Sequence, residues 1–275
     1  MQHLAPSTSR PRRWAWAGVV AGAALALLTQ APARWLTDAV NNASAHRALL
    51  LNPQGTVWNG SAQWLLSSGI ATGSSPVSSS DTALPTRLQW HISPRVDLSQ
   101  GRVMLSLELR SDCCTPTSVQ MDLIPLWHGV QLHVHDHHSS WPAEWLVGLG
   151  APWNTIHPEG RLQLHTQGLV WQWKAGQERL QGLAELRIEQ LSTRLSTLRP
   201  LGSYRLTVRG NDTISVTLAT LEGSLRLVGQ GQWFEHRLQF NGEASAEPEF
   251  EDALSNLLNV LGQRQGAKSI LKIGS

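Results

Sequence analysis

The chain has 275 residues, of which 15% are charged, and its formal net charge is +2. This length is enough for one large domain or two small ones with a buried core. Arg10, Arg12 and Arg13 supply three of the 22 basic residues, so the rest of the chain has 19 basic against 20 acidic residues and lacks the clustered basic face of a nucleic-acid-binding protein.

The first predicted element is a membrane span near the N-terminus. Residues 14–28 are all apolar, and the stretch 14–36 reaches the length of about 20 residues that a bilayer requires. The arginines before it mark residues 1–13 as a cytoplasmic segment, because basic flanks stay in the cytoplasm. We therefore expect a signal-anchor over 14–36, with residues 37–275 translocated out of the cytoplasm.

A cleaved signal peptide is the alternative for the same segment. Residues 31–33, Ala-Pro-Ala, have the small-x-small pattern of a cleavage site. Against cleavage, Pro32 is a poor neighbour for signal peptidase, and Trp14, Trp16 and Trp35 lie where a retained span carries aromatic anchors. Both interpretations place the main domain outside the cytoplasm.

The next stretch, residues 37–53, is typical of a short helix or an extended connector. It is followed by the sequence GTVWNGSAQWLL at 55–66. Asn59-Gly60 is a preferred centre for a two-residue turn, because both positions need a positive φ. We predict a hairpin around this turn, and we prefer it to a sugar-binding pair made by Trp58 and Asn59.

A mainly β domain is predicted from the alternation of apolar and polar residues after this hairpin. Alternation of this kind is typical of half-buried strands, and it recurs at 103–109, 130–134, 169–173, 204–208 and 214–218. Turn residues separate these segments, so we expect an antiparallel, curved meander. The predicted turn positions are Gly160, Gly182, Pro200, Gly202, Gly210-Asn211-Asp212, Gly223 and Asn241-Gly242. The Ser- and Gly-rich stretch 67–82 is predicted to be a flexible loop.

An internal similarity links two of the predicted strands. Residues 159–168 and 222–231 share the pattern E-G-x-L-x-L-x-x-Q-G. This predicts two related hairpin units, each with a second strand that contains Trp171 or Trp233.

A helix is predicted near the C-terminus, at residues 251–262. Leu254, Leu257, Leu258 and Leu261 have the spacing of one apolar helical face. We expect this face to pack on the sheet.

The strongest metal-like pattern is the histidine-rich stretch 131–140. On a regular strand His133, His135 and His137 would share one face, where three imidazoles could bind zinc. One strand alone holds such side chains too far apart for a tetrahedral site, so another strand would have to help. The alternative, which we favour, is an exposed polar strand end, with no metal bound.

Cys113 and Cys114 are the only two cysteines. Adjacent cysteines cannot link distant parts of the fold, and no base is predicted beside them to activate a thiol. A surface turn with free or mutually bonded thiols is the expected arrangement. The sequence also lacks a nucleophile elbow, a phosphate loop and a dinucleotide-binding motif. We therefore expect no catalytic residues and no cofactor.

Several motifs, taken in their order along the chain, resemble the type II secretion system protein N family. They are the basic N-terminus with its apolar segment, GTVWNG at 55–60, LRPLGSYRLTV at 198–208, EGSLRLVGQGQW at 222–233 and ALSNLLNVLG at 253–262. The residues that carry the resemblance are Gly55, Trp58, Gly60, Leu201, Gly202, Gly223, Leu225, Gly229, Gly231, Trp233, Leu254, Leu257, Leu258 and Leu261.

The resemblance implies a non-enzymatic, single-span subunit of the bacterial inner membrane, with the β-rich residues 37–275 in the periplasm. It would belong to the machinery that exports folded proteins across the outer membrane. Its expected partners are other secretion subunits in the inner membrane or periplasm, with the secretin among the candidates. The alternative is a periplasmic protein that carries lipid in an apolar groove. That alternative requires Trp171, Trp173, Leu225 and Leu227 to line an open groove, whereas the secretion hypothesis places them beneath the C-terminal helix.

Overall fold

The computed structural model describes residues 15–19, 22, 29–68, 82–98, 101–234 and 237–274. Its strands are β1 Ala48–Gly55, β2 Asn59–Leu66, β3 Thr82–Ala83, β4 Leu88–Asp97, β5 Arg102–Arg110, β6 Val119–Leu126, β7 Gly129–Val134, β8 His137–Pro142, β9 Glu159–Lys174, β10 Gln177–Ser192, β11 Gly202–Gly210, β12 Ile214–Glu222, β13 Leu225–Phe234, β14 Arg237–Ala246, β15 Gln263–Gln265 and β16 Lys268–Ile273. The α-helices are α1 Ala33–Ala43, α2 Trp153–Ile156 and α3 Glu251–Leu261, and 3-10 turns cover Ala143–Leu149 and Pro248–Phe250.

All the strands belong to one antiparallel sheet, as the alternation of apolar residues predicts. The order is β1-β2-β4-β5-β6-β7-β9-β10-β11-β12-β13-β14-β16-β15, with β3 beside β2 and β8 beside β9. Strands β7 and β8 pair with the two halves of β9, so that Val134 lies opposite Leu169 and His137 lies opposite Thr166. Strands β7 and β8 therefore act as one long strand beside β9, interrupted at His135-Asp136.

Three predicted turn positions lie inside strands instead, the first being Gly160, the second residue of β9. Gly182 is in the middle of β10, where a Cβ atom would lie 2.1 Å from the carbonyl oxygen of Gly168. Asn241-Gly242 are in the middle of β14, paired with Gln230 and Gly229. These glycines mark close backbone or aromatic packing within the sheet, which a local pattern does not distinguish from a turn.

The sheet has one apolar and one polar face, and the helices cover the apolar face in separate places. Under α1 the core contains Leu50, Ala62, Leu88 and Trp90. A second cluster joins Leu66, Leu84, Cys114 and Trp145, and Trp64 packs edge-on against Trp145 with ring centroids 4.6 Å apart. The third and largest cluster lies under α3.

The C-terminal helix occupies the predicted position and uses the predicted face. Leu254, Leu257 and Leu258 are fully buried against Tyr204 and Leu225 of the sheet. Glu251 and Asp252 in the first turn favour the helix start through its dipole. The hydroxyl of Tyr204 donates a hydrogen bond to the carbonyl oxygen of Leu225 at 2.9 Å, and burial raises the pKa of this phenol.

The end of the predicted membrane span belongs to helix α1. Ala33 is buried where α1 packs on β1 and β2, and Ala33–Leu36 therefore form part of the folded domain. Most of the predicted span lies outside the described residues, as does most of the predicted loop 67–82. Among the helices of the described ranges, none combines the length and the apolar character that a membrane crossing requires.

The first hairpin is present, but its turn is centred two residues before the predicted position. Gly55 pairs with Gly60 and Gln54 with Ser61, so residues 56–58 form the connection and Asn59 begins β2. The predicted two-residue turn at Asn59-Gly60 is wrong. The positive φ of 86° falls on Gly55, and Gly60 is needed because a Cβ atom there would lie 2.5 Å from the Trp90 ring.

The two similar segments do not form equivalent hairpins. Residues 159–168 lie at the start of β9, and the same strand continues through Trp171. In the other copy, Glu222 ends β12, Gly223 lies in the turn, and Trp233 is on β13 itself. The prediction that each tryptophan lies on a second strand is wrong.

Candidate functional site

Two of the three predicted histidines come together with a carboxylate on the polar face. Asp122 of β6 pairs directly with His133 of β7, and His135 follows at the interruption of the strand. One ligand atom from each of the three side chains lies within 4.8 Å of the others. The Nε2 atom of His135 is 2.8 Å from Oδ2 of Asp122. This is the neighbouring-strand contribution that a metal site here would need.

His137 lies elsewhere, because the interruption after His135 turns β8 toward the apolar face. It is buried, and its backbone N–H donates to the hydroxyl of Thr166. Its Nε2 atom has no hydrogen-bond partner among the described residues. Burial and the neighbouring His138 lower the pKa of His137. The expectation that His137 shares a face with His133 and His135 is therefore wrong, and so is its assignment to an exposed strand end.

Asp122 is held in its charged form. Burial raises the pKa of this carboxyl, but hydrogen bonds from His135 and Ser106 and the positive charges of His135 and Arg95 outweigh burial, so the pKa lies below its ordinary value. An ionised carboxylate and two imidazoles are donors that zinc and other first-row divalent ions accept. Three protein donors would leave further coordination positions to water.

The polar face also carries ion pairs between neighbouring strands and within one strand. Glu185 lies 2.5 Å from Arg187 and 3.5 Å from Arg205, measured from Oε1 to the Nε atoms. A cleft of about 800 Å³ beside this group is lined by acidic and basic side chains together, among them Arg161 and Glu189. Because both signs alternate there, this cleft does not favour a ligand of one charge.

Cys113 and Cys114 are joined by a disulfide in the turn between β5 and β6. Cys113 is exposed, whereas Cys114 is buried against Leu66 and Trp145. The backbone N–H of Cys113 donates to the hydroxyl of Thr86, which fixes the turn. The predicted surface turn with bonded thiols holds for Cys113, and the burial of its neighbour was not predicted.

The residues that carry the family resemblance lie at close backbone contacts, in the buried core or within strands of the sheet. Gly202 and Gly223 touch, since a Cβ atom on Gly223 would be 2.2 Å from the Gly202 Cα. The ring of Phe240 covers Gly229, where a Cβ atom would meet it at 2.4 Å. The other positions divide between the α1 and α3 ends of the sheet. Gly55, Trp58 and Gly60 surround the first connection, Leu201, Leu225, Leu254, Leu257, Leu258 and Leu261 form or border the largest cluster, and Gly231 and Trp233 lie on β13.

The apolar face is not covered along its whole length. Leu225 and Leu227 lie beneath α3, as the secretion hypothesis requires. Trp171 is half-buried and Trp173 is 42% exposed, both on β9, which α3 does not reach. Leu123 on β6, also outside the cover of α3, is 37% exposed. The four positions named by the two functional hypotheses are therefore divided, with a covered pair and a pair outside the helix.

Comparison with known proteins gives one match. The model of the family described as "Type II secretion system (T2SS), protein N" matches residues 48–270. No curated protein and no solved structure matches the chain.

Proposed function

The chain belongs to the type II secretion system protein N family, and from this membership we propose that it is a non-enzymatic subunit held in the inner membrane by its N-terminal segment. In this role it supports the export of folded proteins through contacts with other secretion subunits. The observation that carries the proposal is the family match, which runs from the first residue of β1 into β16. It thus covers every strand of the sheet, β16 only in part.

The two edge strands of the sheet are poorly suited to pairing with a strand of another protein. On one edge, β1 contains Pro53 and a register shift between Leu51 and Gln54. On the other edge, β15 has only three residues. Proline, irregular pairing and short length all oppose the addition of a further strand. We therefore place the partner contacts on the exposed faces and rims, and not on the strand edges.

Anchoring is supported by the sequence before α1. Residues 14–28 are apolar and follow three arginines, which is the charge pattern of a span with its N-terminus in the cytoplasm. Carbonate extraction of membranes that contain the full chain tests this. We expect the chain to stay in the membrane fraction, and its release by carbonate would contradict anchoring.

Deletion of the gene tests the secretion role directly. We expect loss of at least one secreted protein from the medium with its accumulation in the periplasm, and recovery when the full chain is restored. Deletion of an established secretion subunit serves as the positive control. Normal secretion in the deletion strain, with loss in the control strain, would contradict the proposal.

A second candidate function is lipid carriage on the apolar face, and the exposure of Trp173 and Leu123 favours it. Both side chains lie on the apolar face outside the cover of α3. Native mass spectrometry of the purified full chain tests this function. Bound phospholipid that persists after detergent exchange would support carriage, and a spectrum with protein alone would count against it.

A further inference from the structure

One rim of the sheet collects exposed apolar side chains. Because the strands are antiparallel, the connections after β1, β4, β6, β9 and β11 and the end of β16 all lie at the same side. We call this side the hairpin rim. In its turns Leu98 is 89% exposed and Trp127 is 92% exposed. Trp173, Phe234 and Ile273, at the ends of β9, β13 and β16, are also exposed.

The opposite rim is less apolar. Its large exposed apolar side chains, Leu149, Leu221 and Val260, are each less than half exposed. Within the described strands, the large apolar residues that are more than half exposed lie at or next to the hairpin rim, apart from Val228 in the middle of β13. Isolated exposed apolar residues are normal on a protein surface, but their concentration at one rim marks a contact surface.

Basic side chains accompany the aromatic ones. Among the described residues of its turns and strand ends, the rim carries more exposed basic residues than acidic ones. The basic residues are Arg102, Lys174, Arg209, Arg237 and Lys272, and the acidic ones are Asp97, Glu178 and Asp212. Tryptophan together with lysine and arginine is the composition of protein surfaces that lie at the headgroup level of a bilayer.

The path of the chain places the apolar N-terminal sequence at the same rim. The carbonyl oxygen of Ala31 accepts a hydrogen bond from the N–H of Val57 at 2.8 Å, and Pro32 bridges to Thr56. Both partners are in the connection after β1, which lies at the hairpin rim. The apolar sequence 14–28 is therefore separated from this rim by only two residues, 29 and 30.

We propose that the hairpin rim lies on the periplasmic surface of the membrane that holds residues 14–28. Leu98, Trp127 and Trp173 enter the headgroup layer, and Lys174 and its basic neighbours pair with lipid phosphates. The two faces of the sheet then stand roughly upright on the membrane, and the rim with α3 and the turn of Cys113 and Cys114 points away from it. This orientation rests on the proposed anchoring of the N-terminal segment.

Site-specific photocrosslinking of the full chain tests the orientation. A benzophenone amino acid replaces Trp127, Leu98 or, as the matched control on the opposite rim, Leu221, which is 43% exposed. The protein is reconstituted in vesicles of phosphatidylethanolamine and phosphatidylglycerol, illuminated and analysed by mass spectrometry. We expect phospholipid adducts at positions 98 and 127 that exceed those at 221 at least tenfold.

Three outcomes would overturn the proposal: no phospholipid adduct at 98 and 127, equal adducts at 221, or, in whole cells, adducts at 127 with protein only. The last outcome would identify the rim as a protein contact. Carbonate extraction of the same variants tests anchoring separately. Extraction-resistant protein without lipid adducts at 98 and 127 refutes the orientation alone, whereas extractable protein refutes the anchor.

Discussion

At the scale of single residues, Gly60 has a packing role that the turn hypothesis did not assign to it. Its missing side chain leaves room for the Trp90 ring, whose Nε1–H donates to the carbonyl oxygen of Val57 at 3.1 Å. A valine at position 60 would place its Cβ 2.5 Å from this ring and 2.7 Å from the carbonyl oxygen of Gln54. We expect Gly60→Val to lower the free energy of unfolding by about 1–3 kcal/mol through overpacking, measured by urea titration.

The matched control for this substitution is Gln89→Val on the adjacent strand. Gln89 is exposed and lies opposite Ser61, next to the Gly60–Trp90 pair. Valine suits an exposed strand position, so the urea midpoint should change little. Equal effects of the two substitutions would show that the contact with Trp90 does not determine the choice of glycine.

The buried imidazole of His137 predicts a pH-dependent stability. Burial and His138 lower the pKa of His137 in the folded chain, so the unfolded chain binds its proton more readily. The stability due to neutral His137 is therefore complete above the ordinary histidine pKa of about 6.5 and is lost as the pH falls below that value toward the folded pKa. We expect His137→Gln to reduce the loss of stability on acidification, measured by thermal unfolding across this range.

His46 provides the control, since it is exposed in the turn before β1. His46→Gln should leave the pH profile as in the native chain. A His137→Gln profile with the native slope would contradict protonation of His137 as the cause.

The cluster of Asp122, His133 and His135 predicts zinc binding that depends on each imidazole. We expect calorimetric titration of the full chain with zinc to show one saturable site, and His133→Ala to weaken it at least tenfold because two donors remain. His128→Ala, which removes an exposed histidine from the turn between β6 and β7, should bind as the native chain does. Undiminished binding in His133→Ala would assign the ion to other residues, such as His138 and His165, whose rings lie 6.5 Å apart.

Two of the three residues in this cluster are recognisable from the sequence alone. His133 and His135 stand out as a local pattern, but Asp122 joins them only through the register of β6 with β7. The two-residue connection Trp127-His128 fixes that register, since Leu126 then pairs with Gly129 and Asp122 with His133. Counting residue pairs outward from this turn places Asp122 opposite His133, which identifies the carboxylate of the cluster. The burial of His137 had no such signal, because it depends on the interruption opposite Gly168.

At the scale of elements, helix α3 was predictable and its contribution to stability can be measured. Leu258 is fully buried between α3 and the sheet. We expect Leu258→Ala to cost about 2–5 kcal/mol, because a cavity would remain where the side chain was. Val260 on the same helix is 39% exposed, so Val260→Ala should cost far less in the same urea titration. Similar losses for both variants would contradict the orientation of the helix.

The strands were predictable where apolar and polar residues alternate, and less so where glycine interrupts them. Alternation at 103–109 and 204–208 gave β5 and β11 within one or two residues at each end. Asn241-Gly242 resembles a turn locally, yet the chain remains extended because the Phe240 ring packs on Gly229 and Gly242. Such packing arises between strands that are apart in sequence, so a local pattern does not contain it.

At the scale of the whole molecule, the sheet is continuous but its core is not. The cluster under α1 and the cluster under α3 lie at opposite ends of the strand order. All six residues of β7, between them, are only half-buried. In a sheet whose strands contact mainly their neighbours, stability is expected to vary along the strand order.

This division predicts how a local defect spreads. Leu258→Ala should speed amide hydrogen exchange in β11, β13 and β14, which form the cluster under α3, and leave exchange in β1 and β2 unchanged. The reason is that no side chain of α3 contacts the cluster around Leu50 and Trp90. Hydrogen exchange followed by mass spectrometry on the full chain measures both regions in one experiment. Faster exchange throughout the sheet would show instead that the two clusters unfold as one cooperative unit.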